Sequence, residues 1–214
     1  VIPDDGWLEL LLDALKNPEV SVVGGETYLT SDSLYEKLFA AFWQFETKEP
    51  PGGQLREARG FYANNVAFRG DLLRTHPFPK LETFRGQCAM LGAALRAEGT
   101  KIWRHGAARV SHPPPEGFSH FVNRAICHGH DMMLIGKIKN HSWFRASPLG
   151  SVWRLVRDLV KAPGRISQRY RKAGLGVTGW VGAFALAVSY YGLKFVGDLM
   201  TFFAPRTMRK VFSI

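Results

Sequence analysis

The stretch VSVVGGETYL at residues 20–29 decides the fold class of this 214-residue chain. Its β-branched run at 20–23 predicts a short buried strand, and Gly24 and Gly25 predict where that strand ends. A helix is predicted before the strand, with Asp4 or Asp5 as its cap and one apolar side formed by Leu8, Leu11, Leu12 and Leu15. A second helix is predicted after it, with Asp32 or Ser33 as its cap and an apolar side formed by Leu34, Leu38, Phe39, Phe42 and Phe45.

Helices and strands continue to alternate further along the chain. The patterns predict a strand or extended segment at 61–68, a helix from Gly86 to a C-cap at Gly99, a strand at 101–111 and a helix at 118–138. Residues 49–53, with the sequence EPPGG, predict a loop. This mixture predicts an α/β fold for residues 1–142, followed by a segment of different, helical character at 143–214.

Charge is distributed unevenly along the chain. Residues 1–136 contain 14 Lys or Arg and 16 Asp or Glu, a net charge of −2, whereas residues 137–214 contain 14 Lys or Arg and only 2 Asp or Glu, a net charge of +12. Such a basic segment predicts a phosphate-bearing partner, either lipid headgroups or nucleic acid. The two cysteines, Cys88 and Cys127, form no CxxC pair, which argues against a zinc site of the usual spacing and against a disulfide framework.

The C-terminal segment has the pattern of a membrane attachment. Arginines and lysines accompany an apolar helix side at 153–160, and residues 173–193 then carry no charge over 21 positions, about the length needed to cross a bilayer core. The glycines in this stretch leave open a transmembrane span, a helix in the membrane interface and a re-entrant pair with residues 195–204. A buried helix of a soluble domain is a further alternative, but it gives no reason for the basic charge.

The position of the basic residues narrows the choice of partner. They lie beside an uncharged, membrane-length segment rather than being interleaved with aromatic residues, which argues against nucleic acid. Lys and Arg next to such a segment mark the cytoplasmic side of a membrane and favour anionic lipids. The sequence therefore predicts a membrane partner and no nucleic acid.

Five stretches, in matching order and spacing, resemble the second half of a family-two glycosyltransferase with the GT-A fold. They are VIPDDGWLELLLDAL at 1–15, VSVVGGETYL at 20–29, GFYANNVAFRGDLL at 60–73, FRGQCAMLGAALRAEGTKIWRHGAARVSH at 84–112 and a helix ending near HGHD at 128–131. The resemblance covers residues 1–136. It implies the C-terminal, acceptor-side part of a GT-A (Rossmann-like) catalytic domain, followed by a membrane-associated helical tail.

The resemblance also implies an activity and a location. The activity is inverting transfer of a sugar from a nucleotide-sugar donor to a glycan or lipid-linked acceptor, in the synthesis of cell-envelope glycan or exopolysaccharide. The location is a bacterial inner membrane, with the catalytic part facing the cytoplasm. In the family an Asp-x-Asp motif holds a divalent metal, Mg²⁺ or Mn²⁺, on the donor diphosphate. That motif would end at or directly before Val1, so the chain is expected to be a fragment that is inactive alone.

The resemblance places the catalytic residues at the start of the helix after Gly86. In the family a Glu-Asp pair there supplies the general base, and Gln87 and Cys88 occupy those two positions in this chain. A helix N-terminus lowers the pKa of a thiol, so partial thiolate character is expected for Cys88. The alternatives are that Cys88 lines the core beside the leucines of its helix, and that Glu82 is the base. Gln87 would hydrogen-bond an acceptor.

The same resemblance assigns the substrate and metal residues. Asn64, Asn65 and Arg85 are assigned to substrate binding, and His112 to the metal or the diphosphate. Asparagine is also a common turn residue, and His112 precedes a proline run, so a turn and a loop cap are the structural alternatives. The residues at 128–131 would suit zinc, but histidines two positions apart point different ways on a helix, which predicts a structural role.

Two functions remain open at the level of the sequence. The first is the transferase itself. The second is a catalytically inactive, glycosyltransferase-like domain that acts as a membrane-bound binding module, because Gln87 and Cys88 replace the expected acidic pair.

Overall fold

The computed structural model describes residues 1–43, 45–47, 52–140, 144 and 146–212 and shows a mixed α/β protein. The helices are α1 Trp7–Ala14, α2 Leu34–Phe42, α3 Gly70–Thr75, α4 Gln87–Ala97, α5 Gly117–Asn140, α6 Pro148–Arg169, α7 Val177–Phe203 and α8 Pro205–Phe212. The strands are β1 Ile2–Pro3, β2 Val22–Leu29, β3 Glu46–Thr47, β4 Leu55–Ala58, β5 Val66–Phe68 and β6 Ile102–His112.

The chain divides into two compact units that interleave in sequence. The first unit consists of Val1–Thr30, Lys48–Leu81 and Gln87–Pro113, and the second of Ser31–Thr47, Glu82–Gly86 and Pro114–Ile214. The predicted boundary between residues 142 and 143 lies outside the described residues and stays a prediction. Most of the predicted loop at 49–53 also lies outside them.

β2 and β6 form the centre of the sheet in the first unit. They run parallel, from Val22 opposite Ile102 to Leu29 opposite His112. β5 pairs antiparallel with the first half of β2, while β4 and β1 pair antiparallel with the first and last parts of β6. The predicted strand at 101–111 is confirmed as β6.

A bulge curls this sheet midway along its two central strands. Gly25 lies opposite His105, but the next residue, Glu26, lies opposite Arg109. A Cβ on Gly25 would lie 1.8 Å from the carbonyl oxygen of Ala108, so glycine is needed where the two backbones approach. The prediction that the glycines end the strand is wrong: they permit the curl, and the strand continues to its end four residues later.

A helix covers each side of the sheet in the first unit. Successive residues of a strand point to opposite faces, so Val22 packs in the cluster of Leu91 and Leu95 from α4, whereas Val23 packs in the cluster of Leu11 from α1. The helix predicted from Gly86 is confirmed as α4. Gly99 follows it with a φ of 86°, as expected for a glycine at a helix end.

The helix starts show which caps the sequence predicted correctly. Ser33 caps α2 in a capping box, in which its hydroxyl accepts from the Glu36 amide and the Glu36 carboxylate accepts from the Ser33 amide. The cap predicted for α1 is wrong, because Gly6 is its N-cap and no side chain bonds to it. Asp4 instead forms an ion pair with Arg109, which the structure brings beside it.

The second unit is built mainly from α2 and α5–α8 around an aromatic core. Neighbouring rings in this core meet edge-on or tilted, and they belong to Phe39, Phe42, Trp43, Phe121 and Tyr190. α5 and α7 cross with their backbones in contact. A Cβ on Gly129 would lie 2.0 Å from the Lys194 carbonyl oxygen, and one on Gly197 would lie 2.0 Å from that of Ile126.

α7 is the apolar helix of the C-terminal segment. It begins later than the predicted uncharged stretch at 173–193 and runs through Lys194 and Asp198 to Phe203, 27 residues in all. Within the described part of the chain it is the one helix whose length and composition would allow it to cross a membrane, with a mean hydropathy of 1.2. The coarse prediction of an apolar C-terminal helix is confirmed.

Candidate functional site

Two parallel strands end together at one edge of the sheet in the first unit. Leu29 closes β2 opposite His112, which closes β6. β1 runs back along the same edge, with Ile2 opposite Ser111, whose hydroxyl donates to the Ile2 carbonyl oxygen over 3.1 Å. The register therefore directs Val1, the next residue outward, towards the position opposite His112. Ligand sites in open α/β sheets lie at this carboxyl edge.

The imidazole of His112 is held in one tautomer at this edge. Its Nδ1 lies 2.7 Å from the carbonyl oxygen of Pro113, and because a carbonyl can only accept, Nδ1 carries the proton. In a neutral ring this tautomer places the lone pair on Nε2, one of the two nitrogens through which histidine binds metals. The ring is half-buried. His112 can therefore cap the loop before the proline run through Nδ1 and still bind a metal through Nε2.

A charged cluster that sequence reasoning missed joins β1, β2 and β6. The carboxylate of Asp4 accepts from the hydroxyl of Tyr28 over 2.7 Å and pairs with the guanidinium of Arg109 over 2.8 Å. That guanidinium also lies 5.8 Å from the centre of the Tyr28 ring. No local pattern predicts this cluster, because Asp4 directly follows β1 whereas Tyr28 and Arg109 lie on β2 and β6, and the three meet only through the strand pairing.

The start of α4 lies against the turn that contains Asn64. This turn is closed by a 3.0 Å hydrogen bond from the Asn65 amide to the Tyr62 carbonyl oxygen, and Cys88 contacts the backbone of Ala63 within it. Gln87 and Cys88, the first two residues of α4, are both half-buried, as is Asn64. The structure thus brings three of the predicted site residues to one place.

The thiol of Cys88 is more neutral than the sequence predicted. Burial raises the pKa of Cys88 above its ordinary value, and backbone hydrogen bonds at Ala63 and at its own amide offset this only in part. The side chain packs against the cluster formed by Val22, Phe61, Leu91, Leu95 and Ile102. The expected thiolate character is therefore wrong, because loss of water outweighs the effect of the helix N-terminus, and the alternative core position is the one observed.

Asn65 is a structural clamp on the bulge. It is fully buried, and its amide group donates to the carbonyl oxygens of Glu26 and Ala108 over 2.8 and 3.2 Å. Its side-chain oxygen accepts from the indole N–H of Trp7 over 2.7 Å. Both amide hydrogens are thus committed to the two central strands. The predicted contact of Asn65 with a substrate stays a prediction, and Asn64 has the more accessible side chain of the two.

Arg85 belongs to the second unit, where it lies near a buried carboxyl group. Asp131 of α5 is 2% exposed, and its Oδ1 accepts from the backbone amide of Phe84 over 2.8 Å. Its Oδ2 has no hydrogen-bond partner among the described residues. Burial raises the pKa of Asp131 to about 7, although the Phe84 amide, the Arg85 amide and the Arg85 guanidinium act in the opposite direction. Asp131 thus fastens the segment that precedes Gln87.

The two histidines near Asp131 point to different partners, as their spacing predicts. His128 lies 3.1 Å from the Tyr190 hydroxyl, and burial lowers its pKa to about 3. His130 is bonded to the hydroxyl of Thr201 over 2.9 Å and to the Glu82 carbonyl oxygen over 3.2 Å. In the part of the chain that is described, no three His, Cys, Asp or Glu side chains converge as a metal site.

Comparison with known proteins leaves the family open. No family model matches the chain, no curated protein matches it, and no solved structure matches it.

Proposed function

We propose that the chain is the acceptor-side part of a GT-A, family-two glycosyltransferase that transfers a sugar, with inversion, from a nucleotide-sugar to a glycan or lipid-linked acceptor. The supporting observation is the register that directs Val1 towards His112 at the carboxyl edge of β2 and β6. An Asp-x-Asp motif directly before Val1 would enter the fold beside this imidazole.

A divalent cation suits this edge as a shared site. His112 offers one nitrogen ligand through Nε2, and the upstream motif would supply the oxygen ligands that Mg²⁺ and Mn²⁺ prefer. When bound, the metal would neutralise charge on the departing nucleoside diphosphate. The Asp4 carboxylate is already paired with Arg109, so it is not a ligand in this proposal.

The start of α4 is the proposed acceptor side. Gln87 and Asn64 are both half-buried, and the start of α4 that carries Gln87 lies against the turn that carries Asn64. The two side chains would orient the attacking hydroxyl by hydrogen bonds. An inverting transfer also needs a base that takes the hydroxyl proton. Cys88 suits this role poorly, since its raised pKa leaves little thiolate at neutral pH. Glu82, the alternative base that the sequence offers, belongs to the second unit, where it is exposed and paired with Arg209 over 2.9 Å.

The location proposed for this activity is the cytoplasmic face of a bacterial inner membrane. The basic C-terminal segment and the apolar helix α7 support it. A cytoplasmic catalytic part would have access to nucleotide-sugars, and a membrane would present lipid-linked acceptors for cell-envelope or exopolysaccharide synthesis.

A second candidate function is a membrane-bound binding module without turnover. One observation favours it: the two positions at which the family has its acidic pair hold Gln87 and a neutral, core-packed Cys88. Such a module would bind donor or acceptor at the same edge without transferring the sugar.

The test is an assay of the chain together with its natural upstream sequence. Release of nucleoside diphosphate from UDP-, GDP- and dTDP-sugars is measured with Mn²⁺ or Mg²⁺ and with cell-membrane glycolipid as acceptor. His112→Ala is expected to lower metal-dependent turnover by roughly 10- to 100-fold, whereas the exposed His120→Ala is the matched control and is expected to retain it. Donor binding without turnover would support the binding module, and neither binding nor turnover would contradict both functions.

A further inference from the structure

The polarity of α6 is inverted relative to a helix on a water-soluble surface. Its outward face carries apolar side chains that are between 47% and 73% exposed, and they are Leu149, Val152, Trp153, Val156 and Val160. These positions follow the 3–4 residue spacing of a single helix face. The opposite face buries Ser151 and Arg154, and only 5% of Arg154 is exposed. In its first half, α6 thus buries polar groups and exposes apolar ones.

α7 likewise exposes apolar side chains and buries charged ones, although it also buries Ala183, Ala187 and Tyr190. Its exposed apolar residues include Val177, Val181 and Val188, whereas Lys194 and Asp198 are 5% and 1% exposed. Water would favour the opposite arrangement for both helices, because burying a charge is costly and exposing apolar area gains nothing. Exposed apolar side chains gathered on one helix face, as on α6, mark an interaction site.

The buried charges tie α7 to α6. Arg154 is bonded to Asp198 over 3.0 Å, and Lys194 to Asp158 over 2.6 Å. Each pair joins one helix to the other, so the charges neutralise one another between α6 and α7. These four buried charges therefore need no solvation from the medium outside the two helices, which is the condition for contact with lipid.

From this geometry we infer that the outward face of α6 and α7 docks, parallel to the membrane plane, into the surface of a bilayer that contains anionic lipid. Basic residues accompany the face: Arg157 stacks over the Trp153 ring at 5.1 Å, and Lys161 is exposed one turn further on. Arg171 and Lys172, both exposed, follow where the chain turns towards α7. Apolar side chains beside Lys and Arg are the composition of interfacial helices.

Docking in the plane, rather than crossing, follows from the position of the basic residues on α6. Because α7 is ion-paired to α6, a transmembrane arrangement would carry both helices through the hydrocarbon. Lys161 would then lie near the middle of the bilayer, exposed, and Arg157 one turn away. Such charges are expensive at the centre of a membrane but favourable at the headgroups. The inference specifies how the proposed enzyme meets its membrane, but it does not require catalysis.

The test is flotation of the full chain with phospholipid vesicles, without donor or acceptor. Vesicles of phosphatidylcholine alone are compared with vesicles that contain about 30% phosphatidylglycerol. Val156→Glu places a charge on the outward face and is expected to weaken binding to the anionic vesicles at least about tenfold. Gln168→Glu, exposed on the same helix and of equal charge change, is the matched control and is expected to weaken it less than about twofold. Circular dichroism confirms that both variants are folded.

The outcomes separate this inference from the proposed function. Binding that requires anionic lipid and is lost in Val156→Glu alone supports docking. Equal loss in both variants, or no binding to either vesicle, overturns it, while nucleoside diphosphate release can still be measured with a soluble acceptor. A dimer in solution that Val156→Glu dissociates would also overturn it, because the face would then belong to a second copy of the chain.

Discussion

The sheet unit and the helices α6 and α7 of the second unit treat charged side chains in opposite ways. In the first unit the sheet hides Val22, Val23 and Ile102 under helices, and its charged groups, such as Asp4 and Arg109, remain partly accessible. In the second unit α6 and α7 hide their ion pairs and expose valines and Trp153. The sheet unit follows the pattern expected in water, whereas α6 and α7 follow the pattern expected against lipid.

Removing one buried charge from α7 is expected to have the largest effect on the stability of the protein. Asp198→Ala leaves the guanidinium of Arg154 buried without its carboxylate, and we expect the free energy of unfolding to fall by about 3–5 kcal/mol. The measurement is urea denaturation. Asp13→Ala, which breaks the exposed pair with Lys16, is the control and is expected to cost about 0–1 kcal/mol.

A double variant distinguishes charge from packing at this position. Arg154→Met combined with Asp198→Leu removes both charges and is expected to recover most of the stability lost in Asp198→Ala. If Asp198→Ala costs no more than Asp13→Ala, the ion pair is not buried in solution and the inverted polarity of α6 and α7 is refuted.

In the sheet unit the matching variant is Asn65→Ala. It leaves the Trp7 indole N–H and the carbonyl oxygens of Glu26 and Ala108 without their partner, so we expect a loss of about 2–3 kcal/mol in the same denaturation experiment. Asn64→Ala, at the neighbouring half-buried position, is the control and is expected to stay within about 0.5 kcal/mol of the parent. Equal costs for the two asparagines would show that the clamp does not form.

A smaller effect concerns the pH dependence of stability. Because the pKa of Asp131 rises from 3.8 to about 7 on folding, its contribution to stability is present below pH 3.8 and is lost as the pH rises to about 7. Arg85, Cys127 and Tyr190 face this group. Between pH 4.5 and pH 7.5 the free energy of unfolding of the parent is expected to fall by on the order of 1–3 kcal/mol more than that of Asp131→Asn. Parallel pH profiles for the two proteins would contradict the assignment.

The smallest effect is on the reactivity of Cys88. The rate of alkylation by iodoacetamide, followed by mass spectrometry in a Cys127→Ser background, reports the thiolate fraction. Because burial raises the pKa of Cys88 above 9, the ordinary value of a thiol, the plot of alkylation rate against pH is expected to have its inflection above pH 9. An inflection below pH 8 would restore the thiolate interpretation and with it a role for Cys88 as base.

Features set by neighbouring residues were predictable from the sequence. The cap of α2 depends on Ser33 and Glu36, three positions apart, and the strand β6 has its own local pattern. The direction in which His128 and His130 point also follows from helix geometry alone. These predictions needed no knowledge of which elements pack together.

Features set by distant residues were not predictable. Gly24 and Gly25 signal a strand end locally, but their role depends on the approach of Ala108 from another strand. The local sequence favours Asp4 as a helix cap, but in the fold its carboxylate is bound by Arg109 and Tyr28 instead. The candidate site divides in the same way. The position of His112 at a strand end followed from the pattern, whereas the pKa of Cys88 depends on burial by other segments.

The inverted polarity of α6 was predictable only in part. An apolar side and accompanying basic residues were visible at 153–160, but not which side faces outward. The direction that each side of α6 faces depends on ion pairs with α7. Arg154 pairs with Asp198 and Asp158 with Lys194, each more than thirty positions away in the sequence.

The most direct test of the contrast between the two units is the depth of Trp153 in a bilayer. Tryptophan fluorescence of the full chain is measured in anionic vesicles with lipids brominated near the headgroup end or near the middle of the chain, and Trp153→Phe gives the contribution of this residue by difference. We expect the shallow bromines to quench Trp153 more than the deep ones, since an interfacial helix lies about 5–10 Å into the headgroup boundary. Stronger quenching by the deep bromines would indicate a crossing helix, and no quenching by either would show that this face of α6 does not meet lipid.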